Sequence, residues 1–471
     1  MVVGRKSIQA LRERPKVGGA VSRTPFTVVD ETLLRCDRAE EPQTVQLEVR
    51  VAGSVDARRL GDAVKDAVAR HPMARVSKAT RRRLLSPPLW EIHDPAALDV
   101  ERVLSVAEAQ TDTAMGRLRD AFYSQGVDVS CPPPFRLTLV ARPGGDTILF
   151  TFNHAAADGI GALRLLQSVA NSYAGRPHLA PVDDVALRHP VVPRAPKRQD
   201  DRPTDHHRSR PPGRPARPAF PRPSLIAASP AAFGPGYRFH QSVVPGLSLA
   251  SSHPTEPGPR ITVNDLLVAS LHQSISEWNS GRGVPCERVL VLLPVSMRPE
   301  ALRLEIVGNC LSSSIVATDP DDRREPQRLL RTVVAQTLAA KAGGAATPYR
   351  RPAWARQVFP LLMPVLSLPV LRRRWQTAAV VSNVGTVDGV LSFGPLDSDS
   401  GRITECWAAA PNFMPMGLSV GAATVDGRLC LALRCRRALF DAEDAAAFAG
   451  LFERQLMRLL DVREAMRAGT T

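Results

Sequence analysis

The chain has 471 residues, more than one ordinary hydrophobic core holds, so we predict two domains of roughly 180–220 residues each. Hydrophobic residues make up 44% of the sequence, which excludes a fibrous or wholly disordered protein. The formal charge of +15 comes mostly from arginine and is compatible with an anionic partner, such as a lipid surface or a phosphorylated carrier.

The first half begins with a strand and a helix. Apolar residues at 45, 47, 49 and 51 alternate with polar ones, as in a half-buried strand. Asp56 is a candidate N-cap for a helix that ends at Pro72. The apolar face of this helix would consist of Leu60, Ala63, Val64, Ala67 and Val68.

A hairpin is predicted further along the first half. Segments 137–140 and 147–152 have strand character and flank a turn rich in glycine. The second strand leads directly into the segment 153–159, Asn-His-Ala-Ala-Ala-Asp-Gly, and a helix is predicted over 161–172.

Between 181 and 236 the composition changes, because proline and arginine crowd together with little apolar periodicity. Such a segment buries too little surface to offset its conformational entropy, so we predict a disordered linker. The pair His206-His207 lies in it, and a solvated pair is favoured there over a metal site.

The second half again mixes helices and strands. A helix is predicted over 262–278, and an apolar strand over 289–293 that ends at Pro294. Asp426-Gly427 predicts a tight hairpin turn between strands at 417–425 and 428–434. The closing helix would bury Phe448, Leu451, Phe452, Leu456 and Leu459.

His154 is the candidate catalytic residue. A histidine at the end of a buried strand, followed by small residues, can project its imidazole into a cleft as a general base. In the alternative interpretation His154 is a satisfied core residue, and Asp158 is the N-cap of the following helix. Both interpretations remain open from the chemistry alone.

Three other functions are excluded. The sequence at 417–421 fits the pattern G-x-S-x-G, but it leads into a hairpin, and no histidine follows it to complete a hydrolase triad. Neither a dinucleotide fingerprint nor a Walker sequence occurs. The basic charge lacks the interleaved aromatic residues that single-stranded nucleic-acid binding requires.

The segment around His154 resembles the HHxxxDG motif of the condensation-domain and chloramphenicol-acetyltransferase-like superfamily. Further segments resemble this superfamily in the matching order, at 60–75 and 133–137. The segments at 263–267, 294–300, 308–309 and 381–385 are most similar to its bacterial wax ester synthase/diacylglycerol acyltransferase branch.

This resemblance implies an α/β fold in which two chloramphenicol-acetyltransferase-like subdomains form a V around a central tunnel. The subdomains would span 24–180 and 237–465. His154 would be the general base, and Asp158 would pair with an arginine, for which Arg298 is the candidate.

The resemblance also implies roles for further residues, and the sequence differs from the family pattern at two positions. Asn153, Asp158, Gly159 and Arg298 would form the active-site loop and its support, whereas Asn309, Ser382 and Asn383 would line the tunnel or bind substrate. Asn153 stands where the motif has its first histidine. Gly385 stands where the branch has a proline.

The function implied by the resemblance is transfer of an acyl group from coenzyme A or a carrier-protein thioester to a hydroxyl. A free-standing condensation domain that forms an amide is the second hypothesis, and a catalytically silent binding protein is the third. No cofactor beyond the thioester substrate, no metal and no nucleic acid is expected.

The cellular location follows from three features. The scattered cysteines do not predict a disulfide framework, the first twenty residues lack the apolar core of a signal peptide, and no apolar run approaches 18 residues. We therefore expect a cytoplasmic protein.

An apolar segment at 358–371 contains three prolines and is too short to span a bilayer of ~30 Å. It would be either a buried connector along the core or tunnel, or an interfacial element at the inner face of the membrane. In the second case Arg372, Arg373 and Arg374 would meet anionic headgroups, with Trp375 at the polar edge.

Overall fold

The structure is a computed structural model that describes residues 22–80, 88–97, 99–178, 185, 223–244, 260–342, 376–395 and 400–468. Most of the predicted linker lies outside the described residues. The same holds for the apolar segment 358–371 with Arg372, Arg373, Arg374 and Trp375.

The first half is built around a five-stranded sheet and a small three-stranded sheet. The large sheet has the order β13-β2-β7-β6-β5 and the small one the order β1-β4-β3. Their strands are β1 (Ser22–Pro25), β2 (Thr44–Val51), β3 (Val76–Lys78), β4 (Leu89–Ile92), β5 (Leu104–Glu108), β6 (Phe135–Ala141), β7 (Thr147–Asn153) and β13 (Ile403–Ala409). The helices of this half are α1 (Val28–Cys36), α2 (Ala57–Arg70), α3 (Asp112–Ser124) and α4 (Gly159–Tyr173).

The second half contains a seven-stranded sheet of order β11-β10-β12-β14-β15-β9, with β8 beside β10. Its strands are β8 (Pro223–Ser224), β9 (Tyr237–Val244), β10 (Arg288–Ser296), β11 (Leu311–Thr318), β12 (Ala379–Thr386), β14 (Leu418–Val425) and β15 (Arg428–Arg436). The helices are α5 (Val263–Gly281), the short α6 (Pro320–Arg323), α7 (Pro326–Ala342) and α8 (Ala442–Ala468).

The strongest local signals of the sequence are confirmed. Asp56 caps α2 by accepting a hydrogen bond of 2.7 Å from the backbone N–H of Arg59, and the predicted apolar face of this helix is buried. Asp426 and Gly427 have φ of 49° and 70°, as a tight hairpin turn between β14 and β15 requires. The predicted face of α8 is buried as well.

Strand β2 differs from its prediction as a half-buried strand, because its polar residues are also buried. It lies between β13 and β7, so it is not an edge strand. Glu48 is only 1% exposed, and Arg119 of α3 donates to it over 2.6 Å and 2.7 Å. Gln241 of β9 donates to the same carboxylate over 2.9 Å, so this network also joins the two halves.

Two predicted boundaries also differ. Strand β10 continues past Pro294 to Ser296, because its pairing with β12 stops at Leu292 and Pro294 has only β11 as neighbour. The predicted linker extends to 236, but residues 223–236 form β8 and a loop that packs on the second core through Ile226. Apolar side chains therefore resume before Tyr237.

Strand β13 joins the two halves into one structure. It lies in the second half of the sequence, yet it pairs with β2 of the first sheet from Ile403 to Ala409. It also crosses β14 so closely that a methyl group on Gly421 would overlap the carbonyl oxygen of Ala408. The second glycine of the G-x-S-x-G pattern thus allows a close approach of two backbones.

We predict that Gly421→Ala destabilises the whole protein by at least about 2 kcal/mol, since backbone atoms of β13 must move to make room for the methyl group. The measurement is urea unfolding. Gly116→Ala is the matched control, because Gly116 lies within α3 and nothing stands within 4 Å of an added methyl group. The control should be neutral or more stable by up to about 1 kcal/mol, and equal effects of the two substitutions would contradict the prediction.

Candidate active site

The loop 154–158 connects the end of β7 to the start of α4 and carries His154. Its backbone is held by carbonyl groups from two distant segments. The N–H of His154 donates to the carbonyl of Gln43 over 2.8 Å, and the N–H of Asp158 donates to that of Gly308 over 3.3 Å. The loop is therefore fixed from both halves of the chain.

Asn153 supports the loop from behind. Its amide nitrogen donates to the carboxylate of Asp37 over 2.9 Å and to the carbonyl of Val127 over 2.8 Å. Its amide oxygen accepts from the N–H of Ala155 over 2.9 Å. The asparagine in the position of the motif's first histidine is thus fully hydrogen-bonded within the first half and fixes the turn.

Asp158 forms the predicted ion pair with Arg298, and it also caps α4. Two guanidinium nitrogens of Arg298 donate to its two carboxylate oxygens over 2.7 Å and 2.8 Å. The N–H groups of Gly161 and Cys310 each donate to the same carboxylate over 2.8 Å. Burial opposes ionisation of Asp158, but Arg298 and these donors outweigh it and hold the pKa of this carboxyl below its ordinary value.

Asn309, for which the resemblance implies a place along the tunnel or in substrate binding, lies behind the loop with no exposed surface. Its amide nitrogen donates to the carbonyls of His154 and Ala155 over 2.7 Å and 2.9 Å. It also lies 3.1 Å from a carboxylate oxygen of Asp30. A side chain of the second half therefore positions the main chain of the catalytic candidate.

The environment of the His154 imidazole favours its uncharged form. Burial lowers the pKa of His154 below its ordinary value, although the nearby Asp158 carboxylate acts in the opposite direction. Its Nδ1 is buried and has no hydrogen-bond partner in the described part of the chain, and His154 lines a cavity. This shift in pKa favours the neutral form of the ring.

A cavity of about 310 Å³ lies in front of His154, between the two halves. Ser382 and Asn383 line it, as predicted for tunnel positions. Its other lining residues include apolar side chains of both halves, such as Val45, Ile160, Leu293, Leu311 and Val384. The arrangement fits an acyl chain or another largely apolar substrate group next to a neutral base.

The cavity also contains polar residues for which the sequence predicts no role. Asn264 lines it at the start of α5, and its amide oxygen accepts a hydrogen bond of 2.8 Å from Asn383. Two cationic side chains, Arg303 and Lys341, line the cavity as well. Asn264 stood within a segment of the family resemblance, whereas no local pattern distinguished the two cations.

The glycine that the packing requires is Gly161 rather than Gly159. A methyl group on Gly161 would lie 2.8 Å from two backbone atoms of Gly308, whereas one on Gly159 would make only ordinary contacts. Gly161 therefore allows α4 to approach the segment that carries Asn309. The sequence predicts this helix over 161–172, whereas it begins at Gly159, and the point of close approach is not predicted.

Among the residues that the structure describes, no group of three histidine, cysteine, aspartate or glutamate side chains could hold a metal ion. Within the same residues, no helix is both long enough and apolar enough to cross a membrane.

No family model matches the chain. The protein named Uncharacterized protein Rv2305, from Mycobacterium tuberculosis, is 31% identical over 446 residues, which cover 92% of this chain and 98% of that protein. Uncharacterized protein MT2362, from another strain of the same species, matches equally.

Solved structures share the fold. The first condensation domain of the calcium-dependent antibiotic synthetase has a TM-score of 0.62 at 14% identity and covers 93% of this chain and 97% of its own. Trichothecene 15-O-acetyltransferase TRI3 from Fusarium sporotrichioides has a TM-score of 0.61 at 12% identity, with coverages of 96% and 98%. A mutant starter condensation domain of rhizomide synthetase RzmA, in complex with C8-CoA, has 0.59 at 14%, with coverages of 93% and 95%. The predicted fold class, α/β with two sheet-containing subdomains of this type, is confirmed.

We predict that Asp158→Asn lowers the free energy of unfolding by about 3–5 kcal/mol, because it leaves the buried charge of Arg298 without its counter-ion. Denaturant unfolding measures the loss. The control is Asp62→Asn, which removes an exposed ion pair of 3.6 Å with Lys65 and should cost less than about 0.5 kcal/mol. A loss at Asp158 as small as the control's would show that Arg298 does not depend on this carboxylate.

Proposed function

The chain belongs to the same family as the mycobacterial protein Rv2305, and from this family, the fold and the site we propose that it is an acyltransferase. The reaction is transfer of an acyl group from a thioester to a hydroxyl group, which gives an ester and a free thiol. The observation that carries the proposal is that His154, whose pKa is lowered by burial, lines a cavity between the two halves.

The proposed chemistry needs only one proton-transferring group. His154 Nε2 accepts the proton of the acceptor hydroxyl while its oxygen attacks the thioester carbonyl. The tetrahedral intermediate then collapses, the carbon–sulfur bond breaks, and the imidazolium returns its proton to the leaving thiolate. Protons and charges balance without an acyl-enzyme, a metal or a cofactor.

The donor in this proposal is acyl-CoA or an acyl group on a carrier protein. Support comes from the RzmA domain, which was solved with C8-CoA and has the same fold. A hydroxyl acceptor is supported by the acetyltransferase TRI3 and by the segments that resemble the wax ester synthase branch. An amine acceptor would react by the same steps, as the condensation-domain neighbours suggest, and peripheral membrane contact stays a prediction.

The test is incubation of the purified protein with a panel of acyl-CoA and acyl-carrier-protein thioesters and several alcohols and amines, with mass spectrometry of the products. Ester formation supports the proposal, and amide formation alone would move the assignment to the condensation reaction. Absence of any product with both donor classes, CoA and carrier, would favour a binding protein without catalysis.

We predict that His154→Ala lowers kcat by a factor of about 10²–10⁴, because it removes the general base. The fold should persist, since the backbone of the loop is held by Gln43, Gly308 and Asn309 rather than by the imidazole. Single-turnover assays and a thermal melt provide the two measurements. Activity within a factor of a few of the wild type would contradict the mechanism.

We also predict the pH dependence of kcat/KM. The lowered pKa keeps His154 neutral, so kcat/KM should stay constant through neutral pH. It should fall with a slope of one as the pH drops through a pKa below that of a free histidine, because the protonated ring cannot accept the hydroxyl proton. A profile whose acid limb lies above neutral pH would contradict the effect of burial.

A further inference from the structure

The two cations of the cavity have no role in the chemistry described for His154. Arg303 and Lys341 are both exposed and both line the cavity that contains His154. Within the described ranges, no aspartate or glutamate forms an ion pair with either of them. Their charges are therefore available to a ligand.

Gly385 provides the space in which the guanidinium of Arg303 lies. Val384 and Gly385 lie where the pairing of β12 with β14 shifts register, and Gly385 has a φ of +85°. Arg303 donates to the carbonyl of Val384 over 3.4 Å, and a methyl group on Gly385 would lie 2.5 Å from its terminal nitrogen. Proline, which stands here in the wax ester synthase branch, fixes φ near −65° and cannot adopt this conformation.

The size of the cavity restricts which part of a thioester donor can reach these cations. A volume of about 310 Å³ is at the lower end of the range of roughly 300–1,000 Å³ for small-molecule pockets. It can hold the reacting thioester and part of the acyl group or pantetheine arm. The phosphorylated end of coenzyme A or of a carrier's prosthetic arm would extend beyond this volume towards solvent, and Arg303 and Lys341 are exposed cations that line the cavity.

We propose that Arg303 and Lys341 bind a phosphate group of the thioester donor at the mouth of the cavity. This inference rests on the proposed acyl transfer and adds the recognition of the donor to it. Arginine and lysine both form charge-assisted hydrogen bonds with phosphate oxygens, and arginine can do so with two nitrogens at once. Coenzyme A and a carrier-bound pantetheine arm share this phosphate chemistry.

The test compares two donors that carry the same acyl group. Acyl-CoA carries phosphates, whereas the acyl thioester of N-acetylcysteamine has the same reacting end without them. We expect Arg303→Gln and Lys341→Gln each to raise the KM for acyl-CoA by about tenfold, with kcat and the KM for the acceptor unchanged. Their kcat/KM for the N-acetylcysteamine thioester should stay within twofold of the wild type.

Lys65→Gln and Arg102→Gln are the matched controls, because both side chains are exposed cations that do not line the cavity. They should leave both donors unaffected, and thermal melts establish that all four variants are folded. Raising the salt concentration should increase the KM for acyl-CoA in the wild type and less in the double variant Arg303→Gln/Lys341→Gln.

The outcomes separate the two levels of the proposal. A wild type that uses neither donor contradicts acyl transfer itself. A wild type that uses both, with folded variants whose KM for acyl-CoA is unchanged, overturns the phosphate site alone. Variants that raise the KM for the acceptor instead would assign the cations to an anionic acceptor, which also overturns it. Replacing acyl-CoA by acyl-carrier protein then shows which phosphate source the site serves.

Discussion

The buried contact between Asp158 and Arg298 holds the candidate active site together. The two oxygens of the carboxylate accept from the guanidinium, the first turn of α4 and the backbone of Cys310 at the same time. Each donor comes from a segment that must be in place for the others to be satisfied. In a low dielectric, a buried ion pair is stabilising only when all of its hydrogen bonds are formed. The loop with His154 is therefore stable only when all of these segments are in place.

A second set of contacts stabilises the segment 42–44, which holds the same loop. Arg434 of β15 is fully buried, stacks on Tyr237, and donates to the carbonyls of Pro42 and Thr44 over 3.2 Å and 3.1 Å. The residue between these two carbonyls, Gln43, accepts the hydrogen bond of His154. Side chains from the second half thus position the main chain around the catalytic candidate both at Arg298 and at Arg434.

Much of the fold and of the site could be predicted because it depends on residues that are close together in the sequence. Helix caps, the hairpin at Asp426-Gly427 and the His154 segment depend on neighbours within a few residues, and the family resemblance added Arg298. The burial of Glu48, the close approach at Gly161 and the position of Asn309 behind the loop depend on contacts between distant segments. Periodicity describes one face of one element, so it could not show that a second layer covers β2, or that Arg303 reaches the cavity beside Gly385.

The position of β13 has a consequence for biosynthesis. A ribosome completes β2, β5, β6 and β7 long before it reaches residues 403–409, and at roughly 5–20 residues per second the delay amounts to tens of seconds. During this interval the edge of β2 that later pairs with β13 has unsatisfied backbone groups, which makes the nascent first half a target for aberrant strand pairing. The five-stranded sheet is completed only after nearly the whole chain has been translated. The pairing of β13 with β2 that joins the two halves therefore also prolongs the time during which the nascent chain can aggregate.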